Sequence, residues 1–126
     1  MGARIEIDPE ARLVVASFDG DFSLEVFVEA RQQLLAAPLF DPTYAYIIDL
    51  SQIARGSLRH EQIQEFAVQP TVISRESVQV IVAPDPETFQ LVRLYQTYAA
   101  GDRPNIHVVK SLEEAYARVR GLKRGA

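Results

Sequence analysis

The two histidines, His60 and His107, are the residues of this chain with the widest catalytic and metal-binding use. Neither has an acidic residue or a second histidine at metal-ligand spacing, and the chain contains no cysteine. Ser17 and Ser51 lie outside any Gly-x-Ser-x-Gly turn, and the six glycines form no phosphate-binding loop. The sequence therefore predicts no catalytic residue, no metal site and no cofactor, and we expect the protein not to be an enzyme.

Two charged residues lie where strands are predicted to end. Asp49 is near the end of the apolar segment YAYIIDL, and Lys110 follows the last apolar segment. A response-regulator receiver would also need an acidic pair after its first strand and a Lys-Pro after its fifth. Here Asp8 stands alone, and Ser111 follows Lys110. We therefore expect Asp49 to accept backbone N–H groups in the following turn.

Five apolar segments have the length and composition of β-strands. The first two flank the turn Pro9-Glu10, which predicts a hairpin. The third and fourth, YAYIIDL and VQVIVA, are largely apolar, as expected for strands buried on both faces of a sheet. The predicted strands are 4–8, 12–18, 44–50, 78–83 and 106–109.

Four helices are predicted between and after these strands. Ser23, Ser57 and Ser111 are the expected N-caps of the first, second and fourth helices, and Gly121 is the expected end of the fourth. The predicted helices cover 24–37, 57–68, 86–100 and 112–120. The order of elements is therefore ββαβαβαβα, a single-domain α/β fold.

The helix predicted at 86–100 has more apolar surface than packing on a sheet requires. One apolar stripe is enough for such packing, yet the large side chains spread further around the helix. They are Phe89, Leu91, Leu94, Tyr95 and Tyr98. The excess indicates contact with another protomer, with a protein partner or with an apolar ligand, unless a neighbouring helix covers it.

Length and composition indicate one globular domain spanning residues 1–126. The chain is 48% apolar and 24% charged, with a net charge of −4. A mildly acidic protein lacks the basic footprint of nucleic-acid binding. No apolar run reaches the length of a membrane span, and the first ten residues contain no signal-peptide core. We therefore expect a cytoplasmic protein with no nucleic-acid partner.

The element order and several short motifs resemble the STAS domains, and more narrowly the SpoIIAA-like group of small stand-alone bacterial proteins. The motifs are DLS at 49–51, VIVAPDPETFQLVRLYQ and VVKSLEEAYARV. The resemblance covers nearly the whole chain. It implies a mixed sheet, built from an N-terminal hairpin plus parallel strands, with helices mainly on one face. It also implies a regulatory role through protein–protein contact.

The same resemblance makes Ser57 a candidate phosphoacceptor. Antagonists of anti-sigma factors in this superfamily carry an Asp-Ser-Ser-Gly run after the DLS strand, and a kinase phosphorylates a serine there. This chain reads ARGSL at 54–58, without a second serine or a following glycine. Ser57 is therefore either a phosphoacceptor or a helix N-cap alone.

Two functions are compatible with these features. The first is a non-enzymatic STAS-like regulatory or interaction module, a homodimer with an unknown protein partner, in which helix 86–100 forms the contact surface. The alternative is a module that binds a small apolar or anionic ligand, lipid-like or nucleotide-like. Its pocket would lie between the second and third helices, near Tyr44, Tyr46 and Phe66. The helix N-termini at Ser57 and Asp85 would offer N–H donors to an anion.

Overall fold

A five-stranded mixed sheet forms the centre of the protein. The computed structural model describes residues 2–125, and the side chains of residues 2–121. The strands are β1 (Gly2–Asp8), β2 (Leu13–Gly20), β3 (Ala45–Ile53), β4 (Gln79–Val82) and β5 (Ile106–Val109). They lie in the order β1-β2-β3-β4-β5; β1 is antiparallel to β2, and the other neighbours are parallel. The predicted hairpin followed by parallel strands is confirmed.

The helices follow the predicted order along the chain. They are α1 (Leu24–Ala36), α2 (Ile63–Ala67), α3 (Pro86–Ala99) and α4 (Leu112–Gly125). One turn of 3₁₀ helix, His60–Gln62, leads into α2. None of the described helices has the length and apolar character needed to cross a membrane.

The sheet separates two hydrophobic clusters of unequal size. Ile48 and Ile81 belong to the larger cluster, which α1, α2 and α3 cover. Ile47 and Val80, their neighbours in sequence, belong to the smaller cluster under α4, because successive side chains of a strand point to opposite faces. Crossovers between parallel strands share one hand, so three connections that each add the next strand in order place their helices on the same face.

Side-chain caps begin α1 and α4, as predicted. The Ser23 hydroxyl accepts the backbone N–H of Val26 at 3.2 Å at the start of α1. The Ser111 hydroxyl accepts the N–H of Glu114 at 3.1 Å, and the Glu114 carboxylate accepts the N–H of Lys110 at 3.1 Å. These bonds satisfy donors that the first helical turn leaves unpaired.

Two predicted helix ends are wrong. The segment around Ser57 is a turn, in which Gly56 has a φ of +79° and the Ser57 N–H donates to the carbonyl of Ala54 at 3.0 Å. This left-handed glycine interrupts the helical path, so α2 begins only at Ile63 and Ser57 is not its N-cap. At the other end, α4 continues through Gly121, because a glycine inside a helix costs only about 1 kcal/mol relative to alanine.

Candidate functional site

The large side chains of α3 are divided between the core and the surface. Phe89, Leu91 and Leu94 are partly buried and pack against the larger cluster. Tyr95 is only 6% exposed, whereas Tyr98 is 48% exposed. Much of the apolar excess of α3 is therefore covered inside the protein, where α2 packs against it. Tyr98 and the outer parts of Leu91 and Leu94 remain at the surface.

Val68, at the end of α2, is a second exposed apolar side chain. It is the residue that follows α2, and 77% of it is exposed. Among the described side chains, the other large hydrophobic residues that are exposed are Leu35, in the last turn of α1, and Leu39, in the loop after it. No sequence signal marks Val68, because an apolar residue at the end of a helix is usually part of its packed stripe.

The N-terminus of α3 is occupied by its own capping residue. The Asp85 carboxylate accepts the backbone N–H of Thr88 at 3.0 Å and the Thr88 hydroxyl at 3.2 Å. The bond from the Thr88 N–H lowers the pKa of Asp85 below its ordinary value. Arg55 Nε lies 3.5 Å from the same carboxylate. A further anion at this helix start would meet the negative charge of Asp85.

Ser57 connects two loops. It is partly buried, and its hydroxyl oxygen accepts the backbone N–H of Phe22 at 3.1 Å. This bond joins the segment before α1 to the turn after β3. A kinase would have to draw Ser57 away from Phe22 to reach the hydroxyl, and phosphorylation of Ser57 stays a prediction.

The charged residues at the strand ends do not converge on one point. Asp49 accepts the N–H of Ser51 at 3.0 Å, as predicted, but β3 continues to Ile53, so this bond lies within the strand and not in a turn that follows it. The Lys110 ammonium lies 5.1 Å from the centre of the Phe89 ring, a cation–π distance. Within the described part of the chain, no three His, Asp or Glu side chains are grouped so that they could hold a metal ion.

An apolar cavity of about 40 Å³ lies between the sheet and the three helices that cover its larger cluster. Its lining includes the rings of Phe22, Phe27 and Phe66, and Val92 and Tyr95 of α3. The rings of Phe22 and Phe66 are stacked with their centres 5.2 Å apart. We call this space the apolar cavity.

A second space of about 30 Å³, the polar cavity, adjoins the apolar cavity. Phe27, Ile48 and Tyr95 belong to the linings of both. The side chains with polar groups that line the polar cavity include Arg31, Tyr46, Gln79, Tyr95 and Arg103. The two cavities thus place an apolar space next to a polar space within one core.

Arg103 is a buried cation in the loop after α3, and only 7% of it is exposed. Nη1 donates to the Tyr95 hydroxyl, and Nη2 donates to the carbonyl oxygens of Gln69 at 2.5 Å and Ala67 at 3.3 Å. Nε is buried and has no hydrogen-bond partner. The ion pairs formed within the described part of the chain do not include Arg103. An arginine buried without a carboxylate is costly, because neutral carbonyls compensate its lost hydration only in part.

Tyr46 and Tyr95, which line the polar cavity together with Arg103, are neutral hydrogen-bonding groups. Burial raises the pKa of Tyr46 far above its ordinary value of 10.0. Burial also raises the pKa of Tyr95, although the positive charge of Arg103 opposes that rise. Both hydroxyls therefore keep their protons at neutral pH and can donate hydrogen bonds.

The residues predicted to form a ligand pocket are only partly brought together. Tyr46 lines the polar cavity and Phe66 lines the apolar cavity, whereas Tyr44 and Asp85 line neither. Arg103 has no sequence signal, because it stands in a loop rich in turn-forming residues, where arginine is ordinarily exposed.

An α/β architecture of this kind carries no function by itself. What the protein does therefore depends on its own residues, chiefly the exposed part of α3 and the cavities behind that helix. No family model matches the chain, and neither a curated protein nor a solved structure matches it.

Proposed function

We propose that this protein is a non-enzymatic, STAS-like interaction module that acts through protein–protein contact as a homodimer. The mixed sheet and the element order ββαβαβαβα support this assignment. The contact surface is the α3 face, which we define as Leu91, Leu94 and Tyr98.

The exposure of Tyr98 on the apolar stripe of α3 is the observation that carries the proposal. This side chain is 48% exposed, although most of its surface is apolar. Exposed apolar surface of this kind marks contact sites, and tyrosine is enriched among the residues that dominate binding energy. Leu91 and Leu94, which are partly buried, extend the apolar surface along α3.

A second copy of the chain suits the α3 face because its residues can pair with themselves. Leu91, Leu94 and Tyr98 are three and four residues apart, so they form one stripe along the helix. When two such helices pack antiparallel about a twofold axis near Leu94, Leu91 of each copy lies opposite Tyr98 of the other. One apolar stripe thus supplies both sides of the interface.

Replacement of Tyr98 by glutamate tests the homodimer. We expect the wild-type protein to sediment as a pair of 14.1 kDa chains. The Tyr98→Glu variant should have a dimer Kd raised by about tenfold or more, because it loses an aromatic contact and buries a charge. Sedimentation equilibrium over a range of concentrations measures both values.

Leu39→Glu is the matched control, since Leu39 is 57% exposed but follows α1 and lies outside the α3 face. This variant should dimerise like the wild type. A wild-type protein that stays monomeric at every concentration, or an equal loss of dimer in both variants, would contradict the proposal.

A further inference from the structure

One edge of the sheet is β1, and an edge strand offers backbone hydrogen-bonding groups to another strand. The Ala45 N–H donates to the Arg12 carbonyl at 3.0 Å, so the backbone of Arg12 points toward β3. Since backbone direction alternates along a strand, the next residue, Leu13, points toward β1, where it pairs with Asp8. The even-numbered residues of β1 therefore bond to β2.

The odd-numbered residues of β1, Ala3, Ile5 and Ile7, direct their N–H and C=O groups away from the sheet. No hydrogen bond between described residues uses these groups. Another β-strand is the natural partner of such an edge, because it supplies donors and acceptors at the same spacing. The space beside this edge is open, since a groove of about 380 Å³ is lined by Ile5 and Ile7 and by Ala37 and Pro38, which follow α1.

The side chains of β1 form one apolar row and one charged row. Ala3, Ile5 and Ile7 are partly buried and pack against the larger cluster, on the face that α1 covers. Arg4 and Glu6 lie on the opposite face, and their side chains are 76% and 61% exposed. They form an ion pair at 3.3 Å along the strand, but an exposed pair of this kind contributes little to stability. Both charges can therefore pair with a second strand instead.

A second copy of β1 complements this pattern in one antiparallel register. When Ile5 of each copy lies opposite Ile5 of the other, Arg4 of each copy lies opposite Glu6 of the other. Every residue of β1 is then paired, and Ala3 lies opposite Ile7 in the apolar row. The outward-facing residues exchange the hydrogen bonds, whereas Arg4 and Glu6 form a non-hydrogen-bonded pair, in which side chains lie closest.

Other antiparallel registers lose this match. A shift of two residues in one direction places Arg4 opposite Arg4, and the same shift in the other direction places Glu6 opposite Glu6. Like charges directly opposite each other destabilise a strand pair. A shift of one residue would bring groups that already bond to β2 against the outward-facing groups. The charges of β1 thus select one register.

We propose that β1 is a self-pairing edge, at which two copies of the protein join their sheets by antiparallel pairing of β1 with Ile5 opposite Ile5. The proposal does not rest on the α3 face, because α3 packs against β5, the opposite edge of the sheet. One chain can therefore make both contacts. The edge contact is the weaker one, since its backbone hydrogen bonds replace bonds to water. It joins α3 dimers only at concentrations above those at which the dimers form.

An isotope-filtered NOE experiment tests the register. The sample is a mixture of ¹³C-labelled and unlabelled Tyr98→Glu variant at roughly 1 mM, in which the α3 contact is weakened. We expect an intermolecular NOE between the α-protons of Arg4 and Glu6, because the Cα atoms of a non-hydrogen-bonded pair are only about 4.5 Å apart. Absence of this NOE would overturn the proposal. It would leave the α3 face untouched, since that face is tested by the effect of Tyr98→Glu itself.

Charge reversal in the same Tyr98→Glu background tests the recognition. Arg4→Glu and Glu6→Arg each place like charges opposite one another at both symmetry-related pairs. Each should raise the Kd of the edge contact by about tenfold or more, measured by sedimentation equilibrium. An equimolar mixture of the two variants should regain the affinity of the parent, because each glutamate of one chain meets an arginine of the other. A mixture that associates no better than the separate variants would contradict the proposed pairing.

Glu10→Arg is the matched control for Glu6→Arg. It makes the same change in net charge at an exposed position, but Glu10 lies in the turn after β1 and outside the paired residues. We expect it to leave the Kd of the edge contact unchanged. Equal effects of Glu10→Arg and Glu6→Arg would mean that overall charge, and not the register of β1, controls the association.

Discussion

His107 and Arg118 share a hydrogen bond that requires a neutral imidazole. Arg118 Nη1 lies 3.2 Å from His107 Nδ1, and since a guanidinium only donates, Nδ1 accepts. Partial burial lowers the pKa of His107 below its ordinary value of 6.5, and the charge of Arg118 lowers it further. The unfolded chain therefore takes up this proton more readily than the folded protein does. His107 therefore does not affect the free energy of unfolding well above pH 6.5, where it is neutral in both states. As pH falls through 6.5, the unfolded chain takes up the proton first, and the folded protein loses stability.

We expect His107→Gln to lose less stability than the wild type between about pH 7.5 and pH 5, because glutamine does not titrate there. Urea unfolding at a series of pH values at low ionic strength measures the difference. His60→Gln, which replaces an exposed histidine, is the control and should keep the wild-type pH dependence. A wild-type curve parallel to that of His107→Gln would exclude this role of His107.

At the scale of single residues, the sequence predicts local contacts better than distant ones. The Ser23 cap and the bond from Asp49 to the Ser51 N–H were predictable, because each joins neighbours in the chain. Tyr46 and Phe66 could be placed near a cavity because both stand in apolar segments. Arg103 could not, since its burial depends on contacts with Tyr95 and Gln69 that form only when the chain is folded.

Two adjacent leucines of α1 differ sharply in burial. Leu34 is fully buried and belongs to the larger cluster, whereas Leu35 is 59% exposed. The helix turns about 100° between the two residues, which moves the second side chain off the packed stripe.

Alanine substitutions at these two positions should therefore differ strongly. Leu34→Ala should reduce the free energy of unfolding by about 2 to 5 kcal/mol, because it leaves a cavity in a packed core. Leu35→Ala should change it by less than about 0.5 kcal/mol. Urea denaturation of both variants measures the difference. Similar losses in the two variants would mean that α1 does not pack as described.

Among the strands and helices, the bounds marked by strong local signals were predicted correctly, and those marked by weak signals were not. The strand Ile106–Val109 has the predicted bounds, and α3 begins at the predicted Pro86, where the Asp85 cap and a proline coincide. The start of α2 was wrong because a Gly-Ser pair fits both a helix start and a turn, and tertiary contacts selected the turn. Gly121 was wrong as a stop because propensity alone does not end a helix.

The whole molecule is built around strands that are covered on both faces. All residues of β4 are buried, and β3 is buried from Ala45 to Leu50. In contrast, β1 lies at an edge of the sheet and alternates between partly buried and exposed residues. Opening of the protein near β1 therefore exposes much less apolar surface than opening near β3 or β4.

Native-state hydrogen exchange should follow this difference. We expect the amides of β3 and β4 to exchange most slowly, near the rate of global unfolding, and those of β1 to exchange faster through local opening. NMR exchange measurements resolve the strands individually. Equally slow exchange in β1 would show that the hairpin opens only with the whole molecule.

The mixed sheet was predictable because a short hairpin turn requires antiparallel strands and helical crossovers allow parallel ones. The order of the strands in the sheet was not, because it depends on which edges meet after the helices have packed. The larger cluster and the single helix on the opposite face follow from that order.

Strand order that equals chain order also has a consequence during translation. Each strand leaves the ribosome after the strand it pairs with, so the sheet can grow by one strand at a time. Covering of the sheet does not keep pace with this growth on the face that contains Ile47 and Val80. That face is covered by α4, which is the last described element to be synthesised. A nascent chain therefore carries a paired but half-uncovered sheet until α4 emerges, and this is the stage at which a chaperone would find apolar surface to bind.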